Sequence, residues 1–307
     1  MARTRVSPLA GGLAAAVAVG LAVTCWVVFP PEVAGRAIAA RPDVDLSLPW
    51  PAQGQASAEV QGLGSLGSHG DRRPVPIASV TKVMTAYVVL KDHPLGPDDA
   101  GPQITVDEQA EAESTSPDES TAPVRAGRSL SERDLLALML VPSGNNVARL
   151  LARWDAGSQE AFVAKMNREA AALGMTDTTY TGASGVEDST TSTAVDQLRL
   201  AREAMKNPVI RAIVAKASLR IDGVPGAVVN TNTLLGRNGV IGLKTGSSTA
   251  AGGALMWAAE SRGGALILGV VLHQSPGGTP GQGLRAALEN SEKLIAAIQR
   301  ELPAATR

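Results

Sequence analysis

Cysteine is almost missing from this chain: Cys25 stands alone among 307 residues. A lone thiol has no partner, so no disulfide framework holds the fold. Histidine is nearly as scarce. His69, His93 and His273 are isolated from one another and lack the spacing of a metal-ligand set, so neither a metal nor a cofactor is expected. Aromatic residues make up only 3% of the chain, which leaves Ala, Gly, Val and Leu to supply most of its apolar content. An excess of charge is missing too, since 28 Lys and Arg face 29 Asp and Glu. With no basic patch, nucleic-acid binding has no support.

What is present starts at the N-terminus. Arg3 and Arg5 precede an uncharged, mostly apolar run at residues 9–29. As a helix this run matches the thickness of a bilayer core, and it exceeds the apolar region of about 7 to 15 residues in a signal peptide. Residues 1–30 are therefore expected to form a single-pass membrane anchor, with the remaining domain outside the cytoplasm. The alternative is a cleaved signal and secretion, for which Ala37-Ile38-Ala39 is a candidate cleavage sequence. Arg36 and Arg41 on the far side weaken the positive-inside argument. Residues 31–57, rich in Pro, Ala and Gln, read as a linker. Residues 58–302 are enough for one domain with a substantial core and two lobes.

Three short motifs follow in fixed order: Ser79-x-x-Lys82, Ser143-x-Asn145 and Lys244-Thr245-Gly246. A serine hydroxyl attacks a carbonyl near neutral pH only if a neighbouring base takes its proton. Lys82 is placed to be that base, because residues three apart share one face of a helix. The run from Val83 to Leu90 is apolar nearly all round, which marks a buried helix. Ser79 then falls in the first turn, where free backbone N–H groups favour an oxyanion. To accept a proton Lys82 must be largely neutral, and bringing its pKa from about 10.4 to 7 takes on the order of 4 to 5 kcal/mol. Burial and a second cation both push that way, and Lys244 is the candidate cation.

Each motif alone has a bland explanation. Ser79 could cap a helix beside a surface lysine, Ser143 and Asn145 could be ordinary caps, and Lys244-Thr245 could be a strand end. The ordered set weighs against all three.

Context adds to it. Pro142 ends a helical run at residues 134–140, and another begins at Val147, so Ser143-Gly144-Asn145 forms a turn between helices. Lys244-Thr245-Gly246 continues the segment from Val240 and precedes two apolar stretches, residues 254–259 and 265–272. Ser261-Arg262-Gly263-Gly264 between them reads as a hairpin turn. Gly246 lets a neighbouring backbone or substrate approach closely. Further helices are signalled after Ser158 and after Thr193, the second stopped at Asn207-Pro208, and a closing helix spans about 283–302. The fold class is α/β (α+β): an antiparallel sheet flanked by helices, with a mostly helical insertion and the site between them.

The ordered motifs resemble those of penicillin-binding proteins and class A β-lactamases. From about Ala58 to Leu302 the chain is similar to the serine D-alanyl-D-alanine carboxypeptidases, the low-molecular-weight penicillin-binding proteins. The likeness includes Ile77-Ala78-Ser79-Val80-Thr81-Lys82, Phe162 to Asn167 with Leu173-Gly174-Met175, Asn230-Thr231-Asn232, and Gly242 to Gly246. The resemblance implies a β-lactamase/transpeptidase-like fold. It also implies acylation of Ser79 by a peptidoglycan stem peptide ending in D-Ala-D-Ala, release of D-alanine, and hydrolysis. β-Lactams would be covalent inhibitors. In the roles it implies, Lys82 accepts the proton, Ser143 relays protons to the leaving amine and Asn145 binds the substrate amide. Lys244 adds positive charge, Thr245 holds the terminal carboxylate, and the N–H groups of Ser79 and Ser247 form the oxyanion hole. Arg285 is the candidate for a further carboxylate-binding arginine.

Two stretches depart from the family pattern. Residues 103–128 include an acid-rich segment that reads as a solvated loop, and residues 61–70 are Gly/Ser-rich where the family has an early hairpin, so a short strand pair is expected. A class A β-lactamase would need a Glu-x-x-Asn after the second motif, but Glu187 is followed by Asp188-Ser189-Thr190. A D,D-endopeptidase cutting cross-links and a non-catalytic sensor of penicillin or wall peptides are the alternatives, and intact Ser79 and Lys82 speak against the sensor.

Overall fold

The computed structural model describes residues 47–302. The apolar run at 9–29, its flanking arginines, the sequence at 37–39 and most of the linker lie outside the described residues. Among the described residues, no helix is long and apolar enough to cross a membrane.

The end of the expected linker is built into the domain instead. Leu48 is buried, and strand β1 (Gln55–Val60) is buried along its whole length. It pairs with residues 267–272 on one side and with β2 (Gly64–His69) on the other. Its alanines, too small to signal a strand by hydrophobicity, fit that closed position. The Gly/Ser-rich stretch supplies β2, which is as long as β1 and forms an exposed edge.

Next come β3 (Val75–Pro76), a tight 3-10 turn at Ala78–Thr81, and helix α1 (Lys82–Asp92), buried except at Tyr87, Lys91 and Asp92. The acid-rich segment is not a solvated loop. It holds β4 (Gln103–Thr105) and α2 (Glu108–Glu113), whose cap is the Asp107 carboxylate accepting from Ala110 N–H at 2.7 Å. Ala110, Ala122 and Val124 anchor it in the core. Three of its acids are neutralised by arginines of a later helix, which local sequence does not show: Asp107 pairs with Arg153, and Glu113 and Glu119 pair with Arg149.

β5 (Ser129–Ser131) pairs with β4, and α3 (Glu132–Leu140) and α4 (Asn145–Ala156) flank the turn after Pro142. α5 (Gln159–Ala172) follows its Ser158 cap, β6 (Thr191–Ser192) pairs with β3, and α6 (Ala194–Ala204) follows its Thr193 cap. Asn207-Pro208 is a start as well as a stop. Asn207 Oδ1 accepts from Val209 and Ile210, and Pro208 opens α7 (Pro208–Val214), where an N–H has no partner to lose. β7 (Ser218–Leu219) and β8 (Val228–Val229) form a small ribbon. β9 (Val240–Ser248), β10 (Gly252–Glu260) and β11 (Leu266–Gln274) run antiparallel. α8 (Pro280–Glu301) closes the domain from a Thr279/Gln282 capping box.

The main sheet has the order β2-β1-β11-β10-β9. Alternation along β10 divides the core between its faces. Ala254, Met256 and Ala258 join the cluster under the helical insertion, while Leu255, Trp257 and Ala259 join the one under α8. Trp257 fits because Gly269 opposite it has no side chain; a β-carbon there would stand 2.0 Å from the indole ring. N- and C-terminal strands thus form one sheet, and the helical insertion between them carries the first two motifs.

Candidate active site

Ser79 sits in the 3-10 turn that leads into α1, and the turn is strained into place. Ala78 has φ +46°, its carbonyl accepts from Thr81 Oγ1 at 2.8 Å, and Gly185 packs so closely that a β-carbon would meet Ala78 O at 2.0 Å. Lys82, fully buried, opens the α-helix one turn later. Its Nζ lies 2.8 Å from Ser79 Oγ, 2.5 Å from Asn145 Oδ1 and 2.7 Å from the Ser184 carbonyl oxygen.

Those three partners decide what the amine can do. A carbonyl oxygen only accepts, so Asn145 and Ser184 take the two hydrogens of a neutral amine. Its lone pair is then left facing the Ser79 hydroxyl. Burial holds the Lys82 pKa well below the ordinary lysine value, helped by the charges of Lys244 and Arg149 and opposed by Glu119 and Glu187.

β9 brings the third motif beside the nucleophile. Lys244 is fully buried, donates to the Thr245 carbonyl at 3.0 Å, and has its pKa lowered by burial to about 7. Thr245 Oγ1 lies 2.6 Å from Thr231 Oγ1. Thr231 is fixed by its neighbours: Asn230 Oδ1 accepts from Asn232 N–H, Asn232 Oδ1 accepts from Leu234 N–H, and Asn230 Nδ2 donates to the Lys216 carbonyl. A β-carbon on Gly246 would lie 3.0 Å from Ser79 N, so glycine allows the strand to touch the turn. Ser247, opposite Gly253 in the register, follows directly.

Hydrogen bonds join Ser79, Lys82 and Asn145; packing adds Gly246 and charge adds Lys244, and Thr245 and Ser247 flank Gly246 on β9. Ser143 is buried in the turn before α4 with φ +69°, but its hydroxyl makes no hydrogen bond within the described chain. Arg285 is not drawn in by any ion pair or side-chain hydrogen bond among the described residues. It is exposed on α8, which covers the sheet face opposite the helical insertion.

Four residues escaped the sequence reading. Ser184 contributes a backbone oxygen and Thr231 a hydroxyl. Glu119 Oε2 accepts from Asn145 Nδ2 at 3.0 Å and from Arg149 Nη2 at 2.7 Å. Arg149 carried a signal, being four residues after Asn145 and so on the same helix face. Glu119 carried none. A groove of about 970 Å³ at the far end of the sheet, lined by Glu59, Arg202, Arg211 and Glu260 among others, contains no motif residue.

Comparison with known proteins follows the same lines. Residues 66–275 match the Peptidase_S11 family model, described as D-alanyl-D-alanine carboxypeptidase. A D-alanyl-D-alanine carboxypeptidase of Mycobacterium tuberculosis, DacB2, is 37% identical over 202 residues, 64% of this chain and 66% of its own length. A D-alanyl-D-alanine endopeptidase of Pseudomonas aeruginosa is 38% identical over 178 residues, 57% of this chain and 55% of that protein. The chain thus spans just under two thirds and just over half of these relatives. The crystal structure of the Streptomyces K15 DD-transpeptidase superposes with a TM-score of 0.70 at 27% identity, covering 79% of this chain and 95% of that one.

Proposed function

Since the chain belongs to the D-alanyl-D-alanine carboxypeptidase family, we propose that it is a serine hydrolase removing the terminal D-alanine from peptidoglycan stem peptides. One observation carries this reading: Lys82 Nζ lies 2.8 Å from Ser79 Oγ with its hydrogens committed elsewhere.

Ser79 Oγ attacks the carbonyl of the penultimate D-alanine as its proton passes to Lys82. The oxyanion is held by the N–H groups of Ser79 and Ser247. The C–N bond then breaks, and the leaving D-alanine takes a proton through Ser143. Lys244 and Thr245 hold its carboxylate, with Arg285 as an outer cation that would have to swing in from α8. Asn145 binds the amide of the acyl portion with its second Nδ2 hydrogen. Water, deprotonated by Lys82, cleaves the Ser79 ester and frees the shortened peptide. β-Lactams acylate the same serine.

The full-length protein incubated with a synthetic D-Ala-D-Ala pentapeptide should release D-alanine and should be labelled by a fluorescent penicillin. Ser79→Ala should abolish both. Labelling without turnover would favour a sensor, and faster cutting of a cross-linked dimer than of the pentapeptide would favour an endopeptidase.

The apolar run at 9–29 supports membrane anchoring, with 31–46 as linker and the catalytic domain outside the cytoplasm. Alkaline extraction of cell membranes tests this: the protein should stay in the pellet, whereas recovery from the medium would indicate signal cleavage.

A further inference from the structure

We propose that Glu119, steadied by Arg149, is a positioning residue that fixes the direction of the hydrogen-bond chain through Asn145 and so makes Lys82 an acceptor towards Ser79. This rests on the acyl-enzyme reading above and adds to it the pair that sets the base.

The chain can be followed atom by atom. Arg149 Nε donates to Glu113 at 2.8 Å and Nη2 donates to Glu119 Oε2 at 2.7 Å, which ties α4 to the segment after α2. Both Arg149 and Glu119 are mostly shielded, with 11% and 22% of their side chains exposed, so this is not a loose surface pair. Glu119 Oε2 also accepts from Asn145 Nδ2. Burial pushes the Glu119 carboxyl up, but the hydrogen bonds from Arg149 and Asn145 outweigh it and hold its pKa below the usual value. Glu119 is therefore ionised, and a carboxylate has no hydrogen to give.

That single fact propagates. Asn145 must turn its NH2 to Glu119 and hence its Oδ1 to Lys82, where it claims one amine hydrogen. Ser184 O claims the other. With the amide reversed, Nδ2 would donate into the amine's lone pair, and the proton acceptor of Ser79 would be blocked. Lys82 is fully buried, so Asn145 and Ser184 are the partners that orient its amine.

The charges facing Lys82 come from four elements: Lys244 on β9, Arg149 on α4, Glu119 before β5, and Glu187 in the loop before β6. Arg149 and Glu119 act on its titration in opposite directions.

The test is the rate of acylation by a fluorescent penicillin as a function of pH, in full-length protein. In Glu119→Gln the plateau rate should fall by about tenfold, as expected for a misplaced catalytic group, and the acid limb should move to lower pH. In Arg149→Met the acid limb should move to higher pH. Glu119→Asp, which restores a carboxylate, should recover the wild-type acid limb and serves if the Gln variant does not fold. Slowing of both variants with no pH displacement would overturn the proposal and leave only a structural stitch, as would wild-type rates and profiles. If the wild-type protein itself is not labelled, the acyl-enzyme reading has failed instead.

Discussion

Gly246 and Ser79 are in backbone contact: a β-carbon on the glycine would stand 3.0 Å from Ser79 N and 2.9 Å from Ile77 O. The strand that presents Lys244 and Thr245 is thereby seated against the turn that presents the nucleophile. Gly246→Ala should push the two apart by a few tenths of an ångström and slow acylation by up to about a hundredfold, the scale of a small misplacement at a reacting centre. The second-order acylation rate measures it. A wild-type rate would mean that this contact does not set the geometry.

Lys244 should link activity to stability. Its pKa falls from 10.5 unfolded to about 7 folded because it is buried. Above pH 10.5 both states are neutral and nothing is lost. As pH falls, the unfolded chain takes up the proton first, and the penalty grows until about pH 7, reaching several kcal/mol at about 1.4 kcal/mol per unit. Lys244→Met should therefore melt higher than wild type at pH 7, by a margin that shrinks towards pH 10, while losing D-alanine release. A margin independent of pH would contradict the burial argument.

Glu132 offers a test away from the site. It is fully buried at the start of α3, with no hydrogen-bond partner on either oxygen among the described residues. Burial raises its pKa to about 7, against the charge of Arg133 and with help from Asp155. Its stabilising contribution is complete below 4.5 and is lost as pH rises through about 7, since the folded state then holds an unpaired anion. Glu132→Gln should raise the melting temperature at pH 8 and leave it nearly unchanged at pH 4. A gain at both would point to packing rather than ionisation.

Much of this site was legible because its chemistry is local. Ser79 and Lys82 lie a turn apart, Pro142 announces the turn before Asn145, and the hairpin at 261–264 places Lys244 on a sheet. What was illegible depended on distant partners. Asp107, Glu113 and Glu119 look solvated until Arg149 and Arg153 come back to meet them from α4. The start of β1 was hidden because a central strand with Gln55, Ala56 and Ser57 has little hydrophobic contrast. Arg285 illustrates a different limit: which face of α8 it occupies depends on where the helix begins, and Gly283, packed against Gly252 and Gly253, fixes that register.

The central claim is that an uncharged amine at Lys82 takes the proton of Ser79, and Lys82→Arg addresses it most directly. Arginine is a long basic side chain too, but it carries a charge that it never gives up in a protein. Intact-mass spectrometry after exposure to penicillin, with peptide mapping and a melting curve to show folding, should give an ester on Ser79 in the wild type, forming faster as pH rises through the Lys82 titration. Folded Lys82→Arg should give no ester at any pH. Acylation of that variant at the wild-type rate, or an adduct on a residue other than Ser79, would contradict the account.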